Sequence, residues 1–189
     1  SLRLDGPVLN TFHYGGYILW IRGEMHPPLL DGRTSGSRIF RSQFARASAD
    51  SAALDSLLST WGCTHAILEP PRGAGDRMAM ALAARPDWTL VFADDAGLLL
   101  VKNEAFGAVA AARGYRLLSP DYAVLGARAM AATADSALRV RLTAELERAS
   151  AESPWHSSAS LWLGLLALAD GDARQAFGQH ACAVCLVLP

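Results

Sequence analysis

The sequence predicts an α/β domain with a mostly parallel sheet, helices on both faces and a C-terminal antiparallel hairpin, followed by an all-α tail. Three observations predict it. Short apolar runs alternate with helix-period segments over the first part of the chain. A Trp-led pair of β-rich runs around an acidic, Gly-ended turn closes that part. From Ala105 onward strand signals vanish, and Ala, Leu and Arg dominate. The expected organisation is therefore a three-layer α/β domain over 1–104 and an α-helical region over 105–189.

Each element follows from local residue chemistry. Residues 8–12 (Val-Leu-Asn-Thr-Phe) read as a strand that His13-Tyr-Gly-Gly16 interrupts with two glycines. Tyr17-Ile-Leu-Trp-Ile-Arg22, set between that glycine pair and Gly23, reads as one or two helical turns, and His26-Pro-Pro28 cannot continue a helix. Leu29-Leu30 leading into Asp31-Gly-Arg33 reads as a brief strand with a polar end. Residues 37–61 hold the clearest helical period of this half, through Ile39, Phe40, Phe44, Ala47, Leu54, Leu57 and Leu58, with a break around 48–51. Gly62 stands where a helix C-cap belongs. Residues 64–69 follow as a strand ended by Pro70-Pro71. Gly73 to Gly75 form a loop, and Asp76 caps a helix to Ala84 that Pro86 ends. Trp88 to Phe92 and Leu98 to Lys102 flank Ala93-Asp-Asp-Ala-Gly97 as a hairpin, giving the order β-α-β-α-β-α-β-β. Beyond it, Ser119-Pro120, Ser153-Pro154 and Gly171-Asp172 punctuate three or four helices.

Composition narrows the function classes. The chain has 189 residues with a net charge of −1, from 17 basic against 18 acidic side chains, which argues against a polybasic nucleic-acid binder. Hydrophobic residues make up 51% and charged ones 19%, enough to bury a core. Three cysteines form no disulfide framework. The apolar runs 163–169 and 181–188 fall far short of the roughly 20 residues that span a bilayer. The start, Ser1-Leu-Arg-Leu-Asp-Gly-Pro7, has neither a basic n-region nor an apolar h-region, and the chain reads as an excised piece of something longer. Cys182-Ala-Val-Cys185 with His180 reads as helix packing, since the other histidines lack metal-ligand spacing. No cofactor or metal site is expected. Asp94-Asp95 fits turn chemistry better than a cation site.

Ligands of parallel α/β sheets bind at the carboxyl ends of strands. Two polar clusters fall there: Asn10, His13, Tyr14, Gly15 and Gly16 after the first strand, and Asp31, Gly32, Arg33 and Thr34 after the second. Sequential strands are usually neighbours, so the clusters should share one rim. Asn10, His13, Tyr14, Gly15, Gly16, Asp31 and Arg33 are accordingly the candidate binding residues, with Arg33 clamping an anion and Asp31 orienting it. The competing reading gives these polar groups to local backbone, stitching two loops together. A third glycine of the dinucleotide fingerprint is missing. Arg33, Arg38, Arg41 and Arg46 read as a solvated face, with phosphate or lipid headgroups as the alternative.

The run Leu9-Asn-Thr-Phe-His-Tyr-Gly-Gly-Tyr-Ile-Leu-Trp20, then Leu30-Asp-Gly-Arg33, then Trp88 to Asp95 with Gly97 to Val101, resembles a bacterial module that follows the transmembrane part of GT-C-like glycosyltransferases. These multi-spanning proteins are of the dolichyl-phosphate-mannose and oligosaccharyltransferase type and use lipid-linked sugars. The resemblance implies an extracytoplasmic (periplasmic) domain joined to a membrane-embedded part of the same polypeptide, with the catalytic acids in that part and none in this chain. Leu163-Gly164, Ala167, Gly171-Asp172, Ala176, Ala183 and Pro189 resemble a tetratricopeptide repeat, which implies a protein partner for the helical tail. Three functional expectations follow. The first is a non-catalytic domain that binds or positions substrate or a partner near the membrane. The others are a free-standing α/β enzyme acting on an anionic small molecule at the rim, and a helical-repeat interaction module.

Overall fold

The computed structural model of the chain describes residues 3–23, 28–32, 38–71, 77–169 and 171, and for 38–41 the backbone alone. The chain forms two compact units, Ser1–Val91 with Gly97–Gly114, and Phe92–Ala96 with Tyr115–Pro189. In the first unit four strands, β1 (Val8–Asn10), β2 (His65–Leu68), β3 (Trp88–Ala93) and β4 (Leu98–Lys102), form one sheet in the order β1-β2-β4-β3. Strand β1 runs parallel to β2 (Val8 opposite His65), while β2 runs antiparallel to β4 (His65 opposite Val101).

The sheet is thus mixed, which corrects the mostly parallel sheet expected from the sequence. Two physical facts cause the difference. The β3–β4 hairpin folds back so that β4 lies between β2 and β3, and a four-residue connection joins only antiparallel strands. Among the described residues the Leu29-Leu30 segment, expected as a strand, forms none, and the preceding Pro28 makes an isolated parallel bridge with Val8.

The helices of this unit also depart from the sequence reading at their ends. Helix α1 (Phe12–Arg22) starts at Phe12, so Gly15 and Gly16 lie inside a helix that was expected only from Tyr17. The long periodic stretch divides into α2 (Arg38–Ala49) and α3 (Ser51–Trp61), as its expected break implied. Asp50 makes the division by accepting from the Ala52 N–H at 3.0 Å. Gly62 ends α3 with φ 60° and ψ 34°, the left-handed C-cap expected there, and the Cys63 N–H closes on the Leu58 carbonyl at 3.0 Å. Helix α4 (Arg77–Ala83) follows β2, and α5 (Asn103–Arg113) follows β4. The expected cap Asp76 and the glycine loop lie outside the described residues.

Both faces of the sheet are covered. Val101, opposite His65, packs with Val91 and Ala110 of α5, joined by Leu4, Leu99, Phe106 and Val109. The alternating residues Ala66, Leu68 and Leu100 are as deeply buried. His65 is buried in a polar chain. The Arg22 guanidinium reaches its Nε2 at 2.9 Å, so that nitrogen must be the lone-pair acceptor, and Nδ1–H then donates to Thr64 Oγ1 at 3.1 Å. Arg22 also donates to the Leu4 carbonyl at 2.9 Å. One side chain therefore pins the end of α1 to the N-terminal segment and to β2.

The second unit contains α6 (Tyr122–Ala134), α7 (Ser136–Glu152) and α8 (Ser157–Ala169), capped by Asp121, Asp135 and, from the hairpin turn, Asp95. Asp95 accepts the Ser157 N–H at 2.8 Å, the Ser157 hydroxyl and the Ser158 N–H at 3.3 Å. A residue remote in sequence thus satisfies the first-turn donors of α8. Its neighbour Asp94 accepts from Ser153 Oγ at 2.9 Å. Glu145 on α7 accepts the N–H groups of Arg116, Leu117 and Leu118, each at 2.8 Å, and so fixes the loop before α6. Tyr115 donates to Glu152 at 2.9 Å, and burial with that neighbouring charge pushes its phenol up to about 12. Of the tetratricopeptide-like positions, Gly164 lies buried in α8, while Asp172, Ala176, Ala183 and Pro189 lie outside the described residues, as do Cys182 and Cys185.

This second unit has a built-in acid sensitivity. His156 is buried, and its Nδ1 has no hydrogen-bond partner among the described residues. Burial holds its pKa below the ordinary value of 6.5, against the opposing pull of the Ala149 backbone, Asp95 and Asp94. Asp95 titrates below its ordinary value: burial raises it, but the hydrogen bonds from Ser157 and Ser158 together outweigh burial. Between its two values the unfolded His156 binds a proton that the folded ring refuses. Its contribution is complete above about pH 6.5 and falls as pH drops through that window, with Asp95 adding a loss at still lower pH. Urea midpoints should therefore fall between about pH 7.5 and about pH 5, and His156→Gln should flatten that slope. An unchanged slope in the variant would assign the acid sensitivity to another group.

Candidate functional site

At the carboxyl end of β1 the Asn10 side chain and Gly15 both meet the Leu30 peptide, while His13 and Tyr14 turn elsewhere. Asn10 closes β1 with its side chain fully buried. Its Nδ2 donates to the Leu30 carbonyl at 2.7 Å and to the Thr11 carbonyl at 2.9 Å, while its Oδ1 accepts the Leu30 N–H at 3.1 Å. The carboxamide thereby pairs with a peptide as a neighbouring strand would. This is why Leu29-Leu30 needs no backbone ladder beyond the Val8–Pro28 bridge. The amide orientation is unambiguous, because its nitrogen meets two carbonyls and its oxygen one N–H.

Gly15 is the second half of the clamp. A Cβ placed on it would stand 1.8 Å from the Leu30 carbonyl oxygen and 2.7 Å from the Asp31 Cα. Only a hydrogen there lets the first turns of α1 lie against this segment. Gly16, one residue on, faces open space. The two glycines expected to admit a ligand or a neighbouring chain thus divide: Gly15 admits the chain's own backbone. Asp31 is buried and engaged in an interaction of its own. Tyr14 is half-buried, with its hydroxyl against Gly97. Arg33 and Thr34 lie outside the described residues, so the anion clamp assigned to Arg33 has no geometry here.

His13 stands apart from this cluster. Its Nδ1 lies 2.8 Å from Glu69 Oε1, just past the end of β2, with the imidazole side chain 73% exposed and the carboxylate 26%. Together the two side chains bridge the carboxyl ends of the parallel pair β1 and β2. The imidazole is oriented by a carboxylate but stands in solvent rather than inside a closed site. Glu69 was missed in sequence because it follows a strand 59 positions beyond Asn10; its place after β2 and before Pro70 is the signal that could have found it. The Arg22–His65–Thr64 chain was missed for the same reason of distance.

A concavity of about 330 Å³ lies away from the rim, on the outer side of α2 and α3, where Gln43, Arg46, Asp50, Ser56, Thr60 and Trp61 line it. Its edge is exposed polar side chain and Trp61, its floor includes the buried Leu57, and the strand-end residues have no part in it. Among the described residues no group of three or more His, Cys, Asp or Glu side chains is placed to hold a metal ion, and no helix is long and apolar enough to cross a membrane. Cys63 is buried, and burial raises its thiol to about 11, which keeps it protonated and unreactive near neutral pH.

Compared with known proteins, the chain matches no family model, no curated protein and no solved structure.

The clamp makes a paired prediction. Gly15→Ala should destabilise the first unit by about 2–4 kcal/mol, because its methyl meets backbone that cannot rotate away. Gly16→Ala should be neutral or stabilising by up to about 1 kcal/mol. Asn10→Ala should cost about 3 kcal/mol by stranding the Leu30 N–H and carbonyl. Chemical denaturation of the three variants checks all of this; equal effects at the two glycines would contradict the packing described.

Proposed function

We propose that the chain is a non-catalytic extracytoplasmic domain of a larger membrane protein resembling GT-C glycosyltransferases, and that it binds or positions substrate or a partner near the membrane. The observation that carries this reading is the use of the strand-end rim. Asn10 and Gly15 are committed to the Leu30–Asp31 backbone, Asp31 is buried, and the one imidazole nearby lies in solvent beside Glu69. Groups locked onto the chain's own peptide are not presented to a small anionic substrate. This weighs against a free-standing enzyme at the rim. The order and spacing of the residues shared with the GT-C-associated module supply the membrane context.

A role for the helical part in partner binding fits the same picture. Helices α6 and α7 expose Met130 and Val140, and Trp155 stands exposed just before α8. In the tetratricopeptide-like reading, α8 is the first helix of a repeat completed by residues 172–189, and its neighbours offer apolar contacts to another protein.

The membrane reading is tested on the parent gene. Its reading frame should encode several hydrophobic spans upstream of Ser1, and an alkaline phosphatase fused after Pro189 in the parent protein should be active. A start codon immediately before Ser1, or an inactive fusion with an active cytoplasmic reporter at the same position, would refute it.

A further inference from the structure

Helix α1 has no polar face. At 100° per residue, Phe12, Gly16, Trp20, His13, Tyr17 and Ile21 fall within one half of its circumference. Four of these are large apolar side chains in water: Phe12 is 49% exposed, Tyr17 59%, Ile21 57% and Trp20 80%. The opposite half holds the contacts that fix the helix, through Gly15, the buried Ile18, and Arg22 turned inward onto His65 and the Leu4 and Gly6 carbonyls. A contiguous exposed patch of large apolar side chains ordinarily marks a contact surface. We propose that the exposed face of α1 lies in the lipid–water interface of a bilayer, with Trp20, Tyr17, Ile21 and Phe12 among the headgroups and upper acyl carbons. This deepens the membrane-side reading above and rests on it.

Three features of the face favour lipid over another protein surface. The first is size. Its four exposed side chains present roughly 500 Å² of accessible surface, at about 150–250 Å² for a whole aromatic side chain, below the roughly 800 Å² that each partner of a stable dimer buries. An interfacial helix needs only its own width. The second is chemistry: Trp and Tyr combine an apolar ring with an N–H or O–H, which suits them to the headgroup level. Their rings lie adjacent, with centroids 6.1 Å apart. The third is charge. The helix contains no carboxylate, its one arginine points away from the face, and His13 at the N-terminal edge is matched by Glu69. Insertion of the Trp20–Ile21 end of the face therefore desolvates no fixed charge, while the His13–Glu69 pair at the other end stays at the wet headgroup level.

The full 189-residue chain tests this by co-sedimentation with phosphatidylcholine vesicles and with vesicles containing phosphatidylglycerol, at low and high salt. Partitioning onto both vesicle types is expected to persist at high salt, with a blue shift of tryptophan emission. Trp20→Ser combined with Ile21→Ser should lower the partition coefficient by about tenfold or more. Trp61→Ser, at an exposed tryptophan at the end of α3, should leave it unchanged, and circular dichroism should show all variants folded. Absence of partitioning overturns the proposal, and so does partitioning that the α1 variant retains. Binding confined to anionic vesicles and lost in salt overturns it too, as headgroup attraction alone. Self-association in lipid-free buffer that the α1 variant abolishes would give the face to a second copy instead. Failure here with upstream spans present in the parent gene would sink the lipid contact while leaving the proposed domain role standing.

Discussion

The first unit depends on one exchange of hydrogen bonds, between the Asn10 carboxamide and the Leu30 peptide. It forms in a buried site, where an unpaired peptide N–H or carbonyl would cost about 1–3 kcal/mol. Around it the geometry is over-determined. The Val8–Pro28 bridge sets the register on one side, and Gly15 brings α1 down onto Leu30 and Asp31 on the other. Farther along α1, Arg22 ties the same helix to His65 and to the N-terminal segment. A polar side chain thus does at the edge of β1 what a strand would otherwise do, and the helix that follows has only one way to lie.

The second unit uses charge in a similar way. Four of its carboxylates accept from backbone N–H groups: Asp121 and Asp135 at their own helices, Asp95 at α8, and Glu145 at three successive amides. Such bonds to charged acceptors are stronger than neutral ones. They give the acidic turn of the hairpin a structural task, with Asp94 held by Ser153 and Asp95 by the start of α8. A cation site is not needed to account for the two aspartates.

Polar residues that looked available for ligands in the sequence are therefore mostly engaged, and the apolar ones on α1 are not. In the proposed role the chain's contacts accordingly lie on a helix face rather than at the strand ends.

How much of this was legible in the sequence differs by range. The α/β character, the hairpin, the Gly62 cap and the division near Asp50 were readable, because caps, turns and periodicity act over a few residues. That the Asn10 and Asp31 clusters lie together was also expected, since consecutive segments tend to be neighbours. The mixed order of the sheet was not legible: whether β4 or β3 lies beside β2 is settled by how the hairpin packs, and both strands have the same β-rich composition. Nor could the sequence say that Gly15 meets backbone while Gly16 meets solvent, as adjacent helical positions differ by about 100° in direction. The sequence by itself determined most of the helices and strands, though not the loss of a Leu29-Leu30 strand or the start of α1 at Phe12. Tertiary structure alone decided what the polar side chains touch, because the partners of Asn10, His13, Arg22 and Asp95 lie 20, 56, 43 and 62 positions away.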